Sequence, residues 1–172
     1  MILETERLYL RKMTRDDLAP LSRILQDREV MYAYEHAFTD EEVQAWLDKQ
    51  LRRYREDGFG LWAVILKENG DFIGHCGLTI QDIGERQVIE VGYLFRRDCW
   101  HHGYAAEAAI ACKNYAFEEI GAEEVYSIIR ENNFPSQRVA ERNGMTVTGK
   151  FVKHYYGIDM PHLIYSINRK DE

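Results

Sequence analysis

The sequence predicts an α+β fold with a mixed, mostly antiparallel sheet of about seven strands. In the first half of the chain, runs rich in β-branched and aromatic residues are separated by turn residues such as Asn69-Gly70, a pattern typical of antiparallel hairpins. In the second half, a strand, a glycine-containing loop, a helix and another strand follow one another. Such a unit crosses over between parallel strands, so one parallel pair is predicted.

Three strands and two helices are predicted in the first half of the chain. Thr14 and Asp17 form one capping box, and Thr39 and Glu42 form another, so each pair marks a helix start. The helical spacing of the apolar residues favours a core position for Trp46 over contact with a ligand. In chain order the elements are a strand at 7–13, a helix at 17–27, a helix from 39 to 58, and strands at 59–67 and 71–79.

The second half begins with a central strand that carries Glu90 in an otherwise β-branched and aromatic run. Gly121 and Gly144 are expected to close the two helices of this half, because glycine readily takes the left-handed conformation found at a helix C-terminus. The predicted elements are strands at 88–95, 124–130, 145–154 and 163–168, a helix at 103–120 and a short helix at 135–143.

Length and composition limit the class of protein. A chain of 172 residues without a linker-like segment is expected to form one domain. The formal charge of −7 and the lack of a basic run argue against nucleic-acid binding. No apolar run approaches the roughly 20 residues that span a bilayer, and the first residues do not resemble a signal peptide. Three cysteines without a CxxC spacing then indicate reduced thiols in a cytoplasmic protein.

Residues 88–109 join a strand, a loop and a helix start. Gly103 precedes a helix whose first residues are small, so a ligand could approach the backbone closely. N–H groups at a helix start bind anions, and the stretch therefore predicts a phosphate-binding loop. A sharp turn without a ligand explains Gly103 about equally well. The cationic and imidazole groups of the loop are Arg96, Arg97, His101 and His102.

Two motifs together are more specific than the glycine alone. The run from Trp100 to Ala105, with Glu107 after it, resembles the acyl-CoA pyrophosphate loop of the GNAT acetyltransferase superfamily. The resemblance is to the ribosomal-protein N-terminal-acetylating (RimJ/RimL-like) branch, where Trp-x-x-Gly-Tyr-Ala-x-Glu is usual. Asn133 and Ser136 are similar to the Asn-x-x-Ser element of that branch, and a short helix with a Gly-apolar end follows them.

The resemblance implies a fold, a co-substrate and a binding site. It implies a sheet with helices on both faces and acyl-CoA in a splayed gap after the central strand. Acetyl-CoA would be the co-substrate, with no metal involved. The implied acyl-CoA contacts are the pantetheine segment Tyr93, Leu94 and Phe95, the pyrophosphate loop His101, His102, Gly103, Tyr104, Ala105 and Ala106, and the later pair Asn133 and Ser136.

The loop departs from the branch at His101-His102, where Gly-Lys or Gly-Arg is usual. A bulky residue thus replaces a glycine, and a fixed cation is lost. Arg96 or Arg97 could supply that charge instead. A solvated turn and a phosphate contact account for the two histidines about equally well.

Acetyl transfer to an amine needs a proton acceptor and a donor for the departing thiolate. The resemblance implies that Glu90 is the acceptor. The alternatives are a solvent-facing carboxylate and a pair with Arg86. Many members place a tyrosine donor where this chain has Ala140, so Ser136 is the implied donor. A structural role for Ser136 at the helix start explains it about as well, and water or a tyrosine of the pair Tyr155-Tyr156 is the remaining option.

The sequence therefore predicts an N-acetyltransferase acting by direct attack of a primary amine in a ternary complex. The alternative is a catalytically silent acyl-CoA-binding sensor. The acceptor is expected to be a small-molecule amine or a peptide N-terminus, with no nucleic-acid or membrane partner, and a homodimer is left open. A metal or nucleophile site at Cys99 and His101 is disfavoured because further ligands are missing. The acidic residues are expected on solvated faces or along a cationic acceptor's path: Glu35, Asp40, Glu41, Glu42, Asp82 and Glu85.

Overall fold

A computed structural model describes residues 1–155 and 157–172, with Tyr155 described by its backbone alone. The described residues form one sheet of eight strands in the order β1-β2-β3-β4-β5-β6-β8-β7. The strands are β1 Leu3–Glu4, β2 Leu8–Arg11, β3 Leu61–Leu66, β4 Phe72–Ile83, β5 Arg86–Phe95, β6 Glu124–Arg130, β7 Thr146–Tyr155 and β8 Ile158–Asn168. The helices are α1 Leu18–Leu25, α2 Asp40–Glu56, α3 Tyr104–Tyr115 and α4 Phe134–Arg142.

The predicted fold class is confirmed, with differences at element ends. The additional strand is the two-residue β1, which is too short to show a periodic pattern. Strand β6 has the predicted bounds, whereas β8 begins at Ile158 instead of 163 and forms a long hairpin with β7. Helix α3 ends at Tyr115 and continues as one π-helical turn to Ile120, where Gly121 has a φ of 79°.

Helices cover both faces of the sheet, as expected. Strand β3 is buried along its whole length because its alternate side chains enter two different cores. Trp62, Val64 and Leu66 pack with the alanines and Cys112 of α3. Leu61, Ala63 and Ile65 pack with α1 and α2 on the opposite face. Among the described residues, no helix is long and apolar enough to cross a membrane.

Among the described strands, the single parallel contact is between β5 and β6. Antiparallel pairing joins β4 and β5 over ten positions, from Gly74–Phe95 to Ile83–Arg86. In contrast, β5 and β6 pair only at Glu90 and Tyr126. The two strands therefore separate toward the C-terminal end of β5, which gives the predicted splayed gap.

Buried polar contacts fix α2 against the sheet beside this gap. The side-chain oxygen of Gln50 accepts a hydrogen bond from the Leu61 N–H at 3.1 Å. The hydroxyl of Tyr54 accepts from the Met13 N–H at 3.1 Å and donates to the Leu61 carbonyl. Burial raises the pKa of Tyr54 to about 12, so the hydroxyl stays protonated and can make both contacts. These bonds hold the C-terminal half of α2 against the start of β3.

Candidate active site

Two cavities meet at the gap between β5 and β6. The first, here called the inner cavity, has a volume of about 260 Å³ and contains Glu90, His75 and the side chains of Lys49, Arg53 and Lys153 in its wall. The second, here called the groove, has a volume of about 370 Å³ and runs over the start of α3 and along α4. The residues that line both are Val30, Tyr93, Leu94, Asn133 and Ser136.

The groove collects the residues that the sequence predicted for acyl-CoA, with one exception. His101, Gly103, Tyr104, Ala105 and Ala106 line it at the start of α3. The predicted residues of β5 and α4 line it as well: Tyr93, Leu94, Phe95, Asn133 and Ser136. His102 is not part of its lining.

The start of α3 lies open to the groove. Gly103 is the N-cap residue with a φ of 79°, and it has no side chain that could cap the helix. The first N–H groups of an α-helix have no intrahelical acceptor, so those of α3 are available to an anion. A Cβ atom at Gly103 would lie 3.4 Å from a guanidinium nitrogen of Arg7 and would be strained at this φ.

His101 preserves the shape of a glycine position. It has a φ of 66°, and within residues 1–155 and 157–172 only Glu35 is a second non-glycine residue with a positive φ. The left-handed region is unfavourable for residues with a Cβ atom. The loop therefore keeps the backbone conformation that a glycine would give, while the imidazole of His101 lines the groove.

His102 belongs to a structural contact instead. Its Nδ1 lies 2.7 Å from the carbonyl oxygen of Trp100, and its ring stacks on Tyr104 with the ring centres 5.4 Å apart. The Arg7 guanidinium lies 4.5 Å from the centre of the Tyr104 ring. Glu107 accepts hydrogen bonds from Thr5 and from the backbone and side chain of Arg7. Burial opposes ionisation of Glu107, but these bonds outweigh it and lower the pKa.

The cations of the groove come from α4 and not from the loop. Arg96 forms ion pairs with Asp98 and Asp71, and Arg97 pairs with acidic residues at 27 and 29. Neither loop arginine lines the groove. Arg138 and Arg142 do line it, and the sequence analysis missed them. Their spacing of four residues on the predicted helix after Ser136 was the available signal, since residues i and i+4 share a helix face.

Glu90 faces the inner cavity and does not pair with Arg86. Its carboxylate accepts a hydrogen bond from the Ile128 N–H across the gap at 2.7 Å. Burial raises the pKa of Glu90, although Lys153, Arg53 and this hydrogen bond act in the opposite direction. Arg86 lies over the Tyr126 ring, 5.4 Å from its centre. Glu90 is thus a carboxylate with a raised proton affinity at the point where β5 and β6 separate.

Ser136 lies where the two cavities meet, and it does not cap α4. That role belongs to Asn133, whose side-chain oxygen accepts from the Ser136 N–H at 3.3 Å. The same oxygen accepts from the Tyr32 hydroxyl at 2.7 Å. Among the described residues, the Ser136 hydroxyl has no hydrogen-bond partner. The Tyr155-Tyr156 alternative lies outside the described residues.

A second hydroxyl at this junction was missed. Tyr93 was expected only as a contact of the pantetheine arm, but its hydroxyl donates to the Ser136 carbonyl at 2.6 Å. Burial raises the pKa of Tyr93 well above its ordinary value. The side chain therefore remains protonated and joins β5 to the first turn of α4. Sequence alone does not show which way a strand tyrosine points in a splayed sheet.

The wall of the inner cavity contains polar groups without partners. His75 is 2% exposed, and neither of its ring nitrogens has a hydrogen-bond partner in the described part of the chain. Burial lowers the pKa of His75 to about 4, so the imidazole is neutral at physiological pH. The indole N–H of Trp46 also lacks a partner there, and the two rings lie 5.9 Å apart. Trp46 therefore packs in a core and lines the cavity at the same time.

The acidic residues considered as a path for a cationic acceptor do not line either cavity in the described structure. Glu35 forms an ion pair with Arg130, and Asp40 accepts from the Gln26 amide at 2.9 Å. Glu42 completes the capping box of α2. The structure therefore supports solvent-exposed or structural roles for these acidic residues.

Comparisons with known proteins agree with this architecture. A family model described as "Acetyltransferase (GNAT) domain" matches residues 7–146. The uncharacterized protein YkkB of Bacillus subtilis is 38% identical over 83% of this chain and 84% of its own length. A GNAT-family acetyltransferase from Bacillus anthracis is 26% identical, with a TM-score of 0.83 over 98% of both chains. A ribosomal-protein-S5-alanine acetyltransferase from Vibrio fischeri shares the fold at 17% identity, with a TM-score of 0.75 over 98% of this chain and 97% of its own.

Proposed function

The chain belongs to the GNAT acetyltransferase family, and from that membership we propose that it transfers an acetyl group from acetyl-CoA directly to a primary amine in a ternary complex. The acceptor is a small-molecule amine or a peptide N-terminus. The observation that carries the proposal is the junction of two cavities. Glu90 provides a carboxylate in the inner cavity, and the start of α3 offers its N–H groups to an anion in the groove.

The groove suits an acyl-CoA substrate. A pyrophosphate would bind to the open N–H groups at the start of α3, with Arg138 and Arg142 as counter-charges along α4. The pantetheine arm would follow β5 toward Tyr93 and Ser136. This path delivers the thioester to the junction, where the acceptor enters from the inner cavity.

Glu90 is proposed to take the proton of the amine. Because the pKa of Glu90 is raised, it lies closer to the pKa of an amine than the pKa of an ordinary carboxylate does. Proton transfer is most effective when the pKa values of donor and acceptor are matched. The hydrogen bond from Ile128 fixes one carboxylate oxygen. The other oxygen is then available to the acceptor directly or through a water molecule.

The departing thiolate is proposed to receive a hydrogen bond from Ser136, whose hydroxyl is not used by the protein itself. The thiol of coenzyme A should have a pKa near that of free cysteine, about 8.5, so a thiolate is only modestly unstable near neutral pH. One hydroxyl donor is sufficient for such a group. Tyr93 holds the turn that carries Ser136 and so sets its position.

An acyl-CoA-binding sensor without activity has less support. Binding of acyl-CoA requires the groove alone and gives no reason for a carboxylate at Glu90, whose burial costs free energy. The test is release of coenzyme A from acetyl-CoA in the presence of a panel of amines. Amine-dependent release together with acetylated product supports the enzyme. Tight acetyl-CoA binding without release by any amine, at neutral or alkaline pH, supports the sensor.

A further inference from the structure

The inner cavity has an unusual balance of charge for a site that receives an amine. Among the described residues, Glu90 is its one carboxylate, whereas Lys49, Arg53 and Lys153 contribute cations from α2 and β7. A fourth cation, Arg130, is already neutralised by Glu35. A cationic acceptor such as a polyamine would meet repulsion at this wall.

The three cations lie close enough to repel one another. Burial lowers the pKa of Lys49, and the charges of Arg53, Arg52 and Lys153 lower it further. None of Lys49, Arg53 and Lys153 forms an ion pair with a described carboxylate. Arg53 donates a hydrogen bond to the Gln50 side-chain oxygen at 3.1 Å, and Asp57 and Glu90 act on its charge only from beyond ion-pair distance. An anion bound among them would relieve this repulsion.

Glu90 does not account for the cluster. Its carboxylate accepts a hydrogen bond from the Ile128 N–H, and no described cation lies within ion-pair distance of it. Arg53 and Lys153 act on Glu90 only through space. The three cations therefore share the cavity with Glu90 without forming an ion pair with it.

His75 and Trp46 bring further polar atoms to the wall of the same cavity. The two nitrogens of the His75 ring and the N–H of Trp46 lack partners within the described residues, although buried polar groups nearly always have them. These nitrogens are shielded from solvent, so a molecule in the cavity would reach them only after a movement of the wall. The assignment of a ligand class therefore rests on the three cations that line the cavity.

From these observations we propose that the acceptor is an amine that also carries an anionic oxygen group, a carboxylate or a phosphate. The cluster of Lys49, Arg53 and Lys153 binds the anion, while Glu90 receives the amine at the junction with the groove. The inference rests on the proposed function and assigns a substrate class to it. It excludes polyamines and other purely cationic amines as preferred acceptors.

The test compares acceptors that differ only in the anion. In one arm, aminoalkyl carboxylates are compared with their amides. In the other, C-terminally amidated tripeptides with Glu after the first residue are compared with Gln versions. At equal concentrations of neutral amine, kcat/KM should be about 10–150-fold higher for the anionic member, the value of one charge-assisted hydrogen bond. The arm with the larger preference identifies the source of the anion.

Variants then link the preference to the cluster. Lys49→Gln and Lys153→Gln should each reduce the ratio of kcat/KM between anionic and neutral amines by about tenfold or more, mainly through KM. Arg55→Gln and Lys150→Gln are matched controls, because both residues are exposed on the same elements and do not line the cavity. Melting temperatures confirm that each variant is folded.

The outcomes separate this inference from the function on which it depends. An equal loss of kcat/KM for anionic and neutral amines would mean that the cations only adjust Glu90, and the inference would be overturned. A preference of the wild type for the neutral members would overturn it too. Failure of every amine to release coenzyme A would instead overturn the proposed function.

Discussion

The groove and the inner cavity share a wall, but they are assembled in different ways. The anion-binding part of the groove comes from one continuous stretch, residues 101–106, with α4 beside it. The inner cavity is assembled from separate elements: α2, β4, β5 and β7 provide Lys49, His75, Glu90 and Lys153. A site formed by neighbouring residues leaves a motif in the sequence, whereas a site formed by tertiary packing does not.

The difference has a chemical consequence. In the proposed function, the groove binds a part of acyl-CoA that does not react, and backbone N–H groups are sufficient for that purpose. The inner cavity would then discriminate between amines, and its side chains would perform this task. We therefore expect substitutions in the groove to act on binding of acetyl-CoA and substitutions in the inner cavity to act on turnover and acceptor choice.

The largest expected effect is at the start of α3. Gly103→Val should abolish binding of acetyl-CoA, because a β-branched residue is strained at a φ of 79° and would fill the space that a phosphate needs. For the wild type, acetyl-CoA at 100 times its dissociation constant should add about 2.7 kcal/mol to the free energy of unfolding. Thermal unfolding with and without acetyl-CoA measures both. A variant that is folded and still stabilised by acetyl-CoA would contradict the placement of the phosphate.

The second largest effect is expected at Glu90, and it should not change binding of acetyl-CoA in the groove. Glu90→Gln is expected to lower turnover by about 10²–10⁴-fold at neutral pH while acetyl-CoA affinity stays nearly unchanged. The loss should be greater for amines of high pKa, which depend more on a proton acceptor. Steady-state kinetics over a pH range measures the effect. If the variant has a rate close to that of the wild type with every acceptor, Glu90 has a structural role and is not the proton acceptor.

The same variant makes a prediction about stability. Because burial raises the pKa of Glu90, its charged form is disfavoured in the folded state and destabilises the wild type above the folded pKa. Below the ordinary value of 4.5 both folded and unfolded states are protonated, and this penalty disappears. Glu90→Gln should therefore be more stable than the wild type at neutral pH, with a difference that narrows as the pH falls toward and below 4.5. Denaturant unfolding at several pH values checks the sign.

The groove and the inner cavity also show how much of the structure could be predicted from the sequence alone. The bounds of β6 and the capping boxes of α2 and of the turn before α1 were predictable because each depends on residues within one short segment. The direction of His102 was not, since it depends on Tyr104 at the start of α3 and on Arg7 in the distant connection between β1 and β2. Lys153 reaches the inner cavity only through the β7–β8 hairpin, and no local pattern shows that placement.

An intermediate effect is expected at the junction itself. Ser136→Ala should slow turnover by about 10–150-fold if its hydroxyl supports the thiolate with one hydrogen bond, because such a bond to a charged group is worth roughly 1.5–3 kcal/mol. Stability should change little, since Asn133 is the residue that caps α4. Asn133→Ala removes the cap instead and should lose about 1 kcal/mol of stability. Melting temperature and turnover measured on both variants separate the two roles.

A different outcome would direct attention to Tyr93. If Ser136→Ala has the activity of the wild type, its hydroxyl is not the donor, and Tyr93 is the other described hydroxyl at the junction. Tyr93→Phe would then be expected to slow turnover without loss of acetyl-CoA binding. Loss of the bond to the Ser136 carbonyl would also loosen the first turn of α4. A crystal structure of the folded variant would distinguish a displaced turn from a missing donor.

The smallest expected effect lies at His101, where the backbone and the side chain of the groove can be tested separately. His101→Gly should relieve a left-handed conformation that costs about 1–2 kcal/mol in a residue with a Cβ atom. The added freedom of glycine in the unfolded chain costs roughly 0.5–1 kcal/mol, so a net gain in stability of about 0–1.5 kcal/mol is expected. His101→Ala removes the imidazole but keeps the strain, and it should not be stabilised. If acetyl-CoA affinity falls equally in both variants, the imidazole binds the phosphate. If affinity is unchanged in both, the N–H groups of α3 and the α4 arginines are sufficient, and His101 only maintains the shape of the loop. A His101→Gly variant less stable than His101→Ala would contradict the assigned strain.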